Sequence, residues 1–202
     1  MILTPEEDNR ILMALRSNPV DTMDILFQCE SWDKQKEISK SVLVDKNKIT
    51  AVRSCHSSGK SFIAARIGAI YLSTNPDSIL LTTAPSFLQV KEILWREIRS
   101  AYRKVIDLNQ GFSLGGNISN VHWEFSENWY GLGMATKKEG DVSEVAERFL
   151  GIHSPSGKIL IIVDEGSGVH EAIWNSIDGL LASEGAQLLV LGNPYRLVGR
   201  FA

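Results

Sequence analysis

The chain has 202 residues, 44% hydrophobic and 22% charged, with a net charge of −3. Its length suits one compact domain, and its composition and slightly acidic balance exclude both a disordered chain and a surface that is basic throughout, although a local basic face stays possible. No apolar run approaches the ~20 residues that span a bilayer, and the start of the chain is acidic where a signal peptide is basic, so we expect a cytoplasmic protein with no membrane contact. Cys29 and Cys55 lack metal-ligand spacing, and we expect them to be reduced thiols.

The first third of the chain is predicted to be mostly helical. Thr4, Pro5 and Glu7 form a helix start with a capping box, and apolar residues follow at helical spacing. A second helix is predicted over about residues 31–44, and a short strand over residues 49–53. A Ser/Gly-rich turn then leads into residues 60–72, which are apolar on most sides and indicate a helix buried against a sheet.

The remaining elements alternate between strands and helices. Buried strands are predicted over residues 78–83, 159–163 and 188–191, and a β-hairpin over 121–125 and 129–135. Ser86 and Gln89 form the capping box of a long helix. This alternation predicts an α/β fold, an open and mostly parallel sheet with helices on both faces, in which ligands bind beyond the carboxyl ends of the strands.

The turn after the first strand reads SCHSSGKS over residues 54–61 and resembles the Walker A motif, GxxxxGK[ST], with Ser54 in place of the first glycine. Main-chain N–H groups of such a loop and the start of the following helix bind phosphate, a role that Lys60 and Ser61 extend to the terminal phosphates and to Mg²⁺. We expect Ser54 to adopt a backbone geometry that glycine takes more easily. The alternative is a turn that caps a helix and exposes a lysine. The candidate nucleotide-binding residues are Ser54, Cys55, His56, Ser57, Ser58, Gly59, Lys60, Ser61 and Phe62.

The apolar strand at residues 159–163 ends in Asp164-Glu165, which is a Walker B pattern. Asp164 would hold Mg²⁺ together with Ser61, and Glu165 would act as general base toward the attacking water. The alternative is a loop that happens to begin with two acids. The long separation from Lys60 favours a P-loop NTPase of the additional-strand, catalytic-glutamate type. Asn193, in Gly192-Asn193-Pro194 after the last strand, either senses the γ-phosphate or forms a plain turn.

Taken together, these segments resemble the ATPase domain of the large terminase subunit of tailed bacteriophages, the motor that packages DNA into procapsids. The resemblance is carried by the helix with Trp32 and Gln35 and by four stretches: AVRSCHSSGKS (51–61), LLTTAPSFLQVKEILWREI (80–98), ILIIVDEGSGV (159–169) and LLVLGNPYRLVGRF (188–201). The TTAP and GNP segments, in this order, are more specific than the Walker motifs, which very many ATPases share.

The resemblance implies roles for further residues. Gln35 matches a glutamine that contacts adenine, and Asn193 matches a motif that couples hydrolysis to movement. The segment 83–85 matches a motif that we expect to support the P-loop. Arg148 is a candidate arginine finger that would reach the ATP of a neighbouring subunit, the alternative being a surface arginine on a short helix. His56 stands near the place where some relatives carry an arginine inside the P-loop.

The resemblance also implies a function: Mg²⁺-dependent ATP hydrolysis that drives double-stranded DNA into a viral procapsid in the host cytoplasm. The implied partners are double-stranded DNA, the portal protein, the small terminase subunit and further copies of the chain in a homo-oligomeric ring. We expect residues 1–202 to form a single ATPase domain with a helical lead-in over residues 1–48, and without the nuclease domain of the family. Alternatives are a helicase-like translocase and a nucleotide-gated interaction module with little activity as a monomer.

Basic side chains on the long helix could track DNA. Arg96, Arg99 and Arg103 recur at helical spacing, and Lys137-Lys138 lies near the hairpin. Such a stripe is more often the solvated face of an amphipathic helix, which is the interpretation we prefer.

Overall fold

The computed structural model describes residues 5–108, 112–135, 142–194 and 200–201. It is a seven-stranded sheet between two layers of helices, which confirms the predicted fold class. The strands are β1 (Ile49–Arg53), β2 (Ile79–Ala84), β3 (Asn117–Ile118), β4 (His122–Ser126), β5 (Trp129–Ala135), β6 (Ile159–Val163) and β7 (Ala186–Gly192). The helices are α1 (Pro5–Ser17), α2 (Pro19–Leu26), α3 (Asp33–Leu43), α4 (Lys60–Thr74), α5 (Phe87–Gln89), α6 (Trp95–Leu108), α7 (Val142–Leu150) and α8 (Glu171–Leu181).

The strand order is β1-β7-β6-β2-β5-β4-β3, and the first five of these strands are mutually parallel. Strand β4 pairs antiparallel with β5, which is the predicted hairpin, and β3 pairs antiparallel with β4. Strand β7 lies between β1 and β6, so the strand that carries the Walker A turn is separated from the Walker B strand by one strand. The ends of β1, β7 and β6 therefore meet at one edge of the sheet, where the site is expected.

Each face of the sheet buries its own hydrophobic core. One core packs five helices, α1, α2, α3, α4 and α6, against one face of the sheet, and Trp95 and Trp123 are fully buried in it. The other joins α7 and α8 to the opposite face, and there Phe149 and Ile177 are fully buried. Every residue of β2, β6 and β7 is buried, as expected for parallel strands that are covered on both sides.

Several elements differ from the sequence prediction. The predicted long helix after Ser86 is interrupted by a π-helical segment, Val90–Leu94, between α5 and α6, and the capping box of Ser86 and Gln89 is present. Helices α2 and α8 were not predicted, although α2 has proline at its start and α8 has Ile173, Ile177 and Leu181 at helical spacing. Thr4 and residues 137–138 lie outside the described residues.

Within the described ranges, no helix has both the length and the apolar character that crossing a bilayer requires.

Candidate functional site

A cavity of about 820 Å³ opens at the carboxyl ends of the central strands. Its wall contains the Walker A turn and the two acids after β6, together with the start of α6. Such a volume lies in the range of small-molecule sites. The lining residues are His56, Ser57, Ser58, Gly59, Lys60, Ser61, Phe62, Pro85, Gln89, Ile93, Arg96, Glu97, Asp164, Glu165, Ser167 and Gly168.

The Walker A turn has a left-handed backbone at two positions, Ser57 (φ 60°) and Gly59 (φ 78°). Ser54 has no positive φ, so our expectation of a glycine-like geometry at this position was wrong. Instead, the Ser54 hydroxyl lies 2.7 Å from the Ser58 hydroxyl and closes the turn with a hydrogen bond that glycine could not make. At Gly59 the constraint is twofold, since an added Cβ would also lie 2.6 Å from Nε2 of Gln35.

The Lys60 side chain is folded back into the turn and is only 8% exposed. Its ammonium group donates to the main-chain oxygens of Cys55 at 2.7 Å and of Ser54 at 3.2 Å. Lys60 is also the first residue of α4, so the positive end of that helix points at the same place. Cationic and N–H groups thus converge where an anion would bind.

Ser61 and Asp164 are brought together from positions distant in the sequence. The Ser61 hydroxyl donates to Oδ2 of Asp164 at 2.8 Å. Asp164 is 4% exposed, and burial raises the pKa of its carboxyl above the ordinary value, with the Ser61 hydrogen bond opposing this shift. A buried carboxylate beside a hydroxyl is a pair of hard oxygen ligands, which suits a small divalent cation.

Glu165 lies at the point where three turns meet. Its backbone is left-handed (φ 53°), an uncommon conformation for a residue other than glycine. One carboxylate oxygen lies 4.0 Å from Nδ1 of His56 in the Walker A turn. The other accepts a hydrogen bond from the main-chain N–H of Asn193 at 3.5 Å. The carboxylate therefore faces the cavity between the tips of β1 and β7.

A second cavity, of about 520 Å³, lies on the other side of the Walker A turn and shares Ser58, Gly59 and Lys60 with the first. Trp32 and Gln35 line it, and Trp32 is half-exposed rather than packed in the core. Gln35 is buried and donates from Nε2 to the main-chain oxygen of Gly59 at 3.4 Å. The predicted adenine-contacting glutamine thus lies directly against the P-loop.

The segment 83–85 does not support the P-loop as we expected. Strand β2 neighbours β6 rather than β1, and the main-chain oxygen of Thr83 accepts from the N–H of Asp164 at 2.9 Å. Pro85 packs so closely against Gly168 that an added Cβ there would lie 2.6 Å from its ring. The segment therefore supports the Walker B turn.

Arg148 is not brought to this cavity. It lies in the last turn of α7, and the next residues of that helix pack near the end of α8, with Leu150 beside Gly179. Helix α7 packs with α8 in the second core, and Arg148 is not among the residues that line the cavity. Arg53, the last residue of β1, is exposed.

Seven residues of the cavity wall were not predicted as site residues, and three of them, Gln89, Arg96 and Glu97, lie on the segment from α5 to α6. The other four are Pro85, Ile93, Ser167 and Gly168. Arg96 belongs to the basic stripe of the long helix, in which Arg99 hydrogen-bonds to the main-chain oxygen of Asn120. A signal for these residues exists in the sequence, because the first turns of a helix that follows a parallel strand face the carboxyl edge of the sheet.

In the part of the chain that the structure describes, no three His, Cys, Asp or Glu side chains form a group that could hold a metal ion. A cation at Ser61 and Asp164 would thus take its other ligands from phosphate oxygens and water, as Mg²⁺ commonly does.

The sequence and the fold are similar to those of large terminase subunits of phages. The chain is 26% identical over 194 residues to "Probable terminase, large subunit" of Enterobacteria phage P7, an alignment that covers 95% of this chain but 38% of that protein. The fold resembles the large terminase ATPase domain of Thermus phage P74-26, with a TM-score of 0.63, 14% identity and coverage of 88% of this chain and 70% of that one. It also resembles the large terminase of a thermophilic bacteriophage in complex with ADP, with a TM-score of 0.50, 16% identity and coverage of 81% and 40%. No protein-family model matches the chain.

Proposed function

We propose that this chain, whose predicted resemblance to the ATPase domain of the large terminase subunit is confirmed by both comparisons, hydrolyses ATP to drive double-stranded DNA into a viral procapsid. The observation that carries the proposal is the convergence of Lys60, Ser61, Asp164 and Glu165 on one cavity at the sheet edge. The chain spans 38% of the length of the phage P7 relative, so packaging is proposed for the longer protein of which such a domain is the motor.

ATP is proposed to lie across the Walker A turn, with its base in the smaller cavity and its terminal phosphates in the larger one. The two cavities share Ser58, Gly59 and Lys60, so one extended molecule can occupy both. The Gln35 amide lies beside the turn and can pair with an adenine edge after release from Gly59. The N–H groups of residues 54–61 would bind the phosphates. The Lys60 ammonium, which donates to the main-chain oxygens of Ser54 and Cys55, would turn to the phosphates as well.

Ser61 and Asp164 would hold Mg²⁺, because their oxygens already lie 2.8 Å apart. In the hydrogen bonds described, the buried carboxylate accepts from neutral donors, the Ser61 hydroxyl and the Glu165 N–H, and not from a cation. When bound there, Mg²⁺ neutralises charge on the phosphate oxygens. Ser61 at the start of α4 and Asp164 after β6 would be the two protein ligands of this ion.

Glu165 is proposed as the general base. Its carboxylate lines the large cavity next to Asp164 and is turned toward the P-loop by its left-handed backbone. It would accept a proton from the water that attacks the γ-phosphate, while the Asn193 N–H orients one of its oxygens. That contact gives Asn193 a direct route for coupling hydrolysis to movement.

Arg148 is proposed to act on the ATP of a neighbouring copy, since it does not line the cavity of its own chain. The proposed partners are double-stranded DNA, the portal protein, the small terminase subunit and further copies in a ring, and the proposed location is the host cytoplasm. The comparison that supports this set is the similarity to the phage P7 protein.

The experiment that tests packaging is ATP hydrolysis by the full-length protein with and without double-stranded DNA and procapsids. We expect turnover to rise when both are present. Stimulation by single strands together with duplex unwinding would instead support a helicase-like translocase, and nucleotide binding without turnover under every condition would support an interaction module.

A further inference from the structure

A single phenyl ring, that of Phe201, packs against the backbone of two functional turns. Phe201 is 6% exposed and belongs to the core on the α8 side of the sheet. A Cβ added to Gly192 would lie 2.7 Å from Cε1 of this ring, and one added to Gly166 would lie 3.4 Å from Cγ. At Gly192 the ring leaves no room for a side chain. At Gly166 the ring is in ordinary van der Waals contact, and Val190 Cγ2, at 2.7 Å from the added Cβ, is the closer group.

These two glycines adjoin the residues that we assign to chemistry and coupling. Gly166 directly follows Glu165, and Gly192 directly precedes Asn193, whose N–H donates to the Glu165 carboxylate at 3.5 Å. The backbones of the two turns are also close to each other, since the Gly192 Cβ would lie 3.2 Å from the main-chain nitrogen of Gly166. Phe201 thus closes a contact between the Walker B turn and the segment after β7.

The neighbouring Arg200 fastens this contact to α8. Its guanidinium lies 3.0 Å from the Glu171 carboxylate, donates to Asn175 at 3.2 Å and forms an ion pair with Asp178. These three residues lie on successive turns of α8, which begins just after the Glu165 turn. Arg200 and Phe201 together therefore bridge a helix and two strand ends. The ion pairs of Arg200 are exposed, and each alone contributes little to stability.

We propose that Phe201 is a positioning residue that holds the Glu165 turn and the Gly192–Asn193 segment in fixed relation, so that a change at the γ-phosphate side of the site moves the chain beyond residue 194. The inference rests on the proposed function. Closely packed groups move between discrete arrangements and do not deform continuously. A shift of Gly166 therefore displaces the phenyl ring, and the ring displaces Gly192. Without the ring, the Glu165 carboxylate loses its alignment. The P-loop still binds ATP, because neither Gly166 nor Gly192 belongs to it.

Variants of the full chain separate positioning from general stability. Phe201→Ala removes the ring, and Phe201→Leu keeps apolar volume but removes the ring edge that meets Gly192. Phe149→Ala is the matched control, because Phe149 is also buried in the same core but belongs to α7. Each variant is measured for hydrogen exchange over residues 164–168 and 190–194, and for kcat and KM with ATP and Mg²⁺.

We expect faster exchange in both segments and a fall in kcat of about tenfold or more in Phe201→Ala, with KM for ATP unchanged and Phe201→Leu between it and the original protein. Phe149→Ala should lower thermal stability without these changes. If Phe201→Ala does not fold, the same pattern in Phe201→Leu decides the matter.

Unchanged exchange and kcat in the Phe201 variants, or the same changes in Phe149→Ala, would overturn the inference. If the original protein shows no ATP turnover, the proposed function fails instead. Hydrogen exchange then still reports whether Phe201 holds the two turns.

Discussion

The carboxyl of Asp164 lies in a buried position that opposes its ionisation. Burial raises the pKa of this carboxyl above its ordinary value of 3.8, because the charged form loses solvation there, and the neighbouring Glu165 adds to the effect. The folded protein therefore binds the Asp164 proton more tightly than the unfolded chain does. The resulting loss of stability is absent below pH 3.8, grows as pH rises through the raised pKa, and is complete above it.

Replacing this carboxyl should therefore stabilise the protein while it removes activity. We expect Asp164→Asn to raise the free energy of unfolding at pH 7 by about 1 kcal/mol, and the gain to shrink toward pH 4 as the original carboxyl becomes protonated. Urea unfolding at several pH values, without added Mg²⁺ or ATP, measures this difference. A gain that grows as pH falls, or a loss of stability at pH 7, would contradict the assignment of a destabilising charge to Asp164.

A substitution at Glu165 that replaces one carboxylate oxygen should separate ATP hydrolysis from ATP binding. Glu165→Gln keeps the size of the side chain and its contact with Asn193 but cannot take a proton from water. We expect ATP binding within about twofold of the original and turnover lower by on the order of 10²-fold or more. Equilibrium binding of a fluorescent ATP analogue and single-turnover hydrolysis measure the two quantities, and unchanged turnover would remove Glu165 as the base.

The Walker A turn is an element whose shape is set by close approach as well as by backbone conformation. Gly59 and Gly157 both have a left-handed backbone, with φ of 78° and 70°, but a Cβ at Gly157 meets nothing within 4 Å, while one at Gly59 meets Gln35 at 2.6 Å. Gly157→Ala therefore measures the cost of the backbone conformation alone. Gly59→Ala adds a collision inside the proposed nucleotide site.

We expect Gly157→Ala to destabilise the protein by about 1 kcal/mol and to leave ATP affinity unchanged. Gly59→Ala should destabilise it further and weaken ATP binding by about tenfold, because Gln35 and the turn must both move. Thermal unfolding and calorimetric titration with ATP and Mg²⁺ check the pair. Equal effects of the two substitutions would show that the approach of Gln35 to Gly59 has no part in binding.

At the same scale, the sequence was sufficient to predict those elements whose signals are local. The strand–turn–helix around Lys60, the acidic end of β6 and the Ser86 capping box follow from patterns within about ten residues. The π segment before Trp95 depends on how neighbouring elements pack, so local patterns do not contain it. The entry of Arg96 into the cavity wall depends on the order of strands, which spacing alone does not give.

For the whole molecule, the two faces of the sheet separate the site from Arg148. The cavity is walled by α4 and α6 and the strand tips, whereas Arg148 lies on the α7 side. Because Arg148 does not line the cavity of its own chain, its proposed role is at the site of another copy. The prediction from sequence that Arg148 acts in trans stays a prediction.

Mixed assemblies test it. In the assembled motor we expect Arg148→Ala alone to lower kcat by on the order of 10³-fold, as for other arginine fingers. When Arg148→Ala and Lys60→Ala subunits are mixed, sites with an intact Lys60 can meet a neighbour with an intact Arg148, so turnover should partly return. Full turnover by Arg148→Ala alone, or no recovery on mixing, would reject the trans role.

The central claim is that one cavity, with Lys60 on one wall and Asp164 and Glu165 on the other, binds and hydrolyses ATP. Its most direct test is the Mg²⁺-dependent ATP turnover of the full-length protein beside that of Lys60→Ala, with both shown to be folded by circular dichroism and thermal unfolding. Loss of the Lys60 ammonium should lower turnover by on the order of 10²-fold or more, because Lys60 is the one lysine or arginine in the Walker A turn, residues 54–61. Equal turnover in the two proteins would contradict the claim.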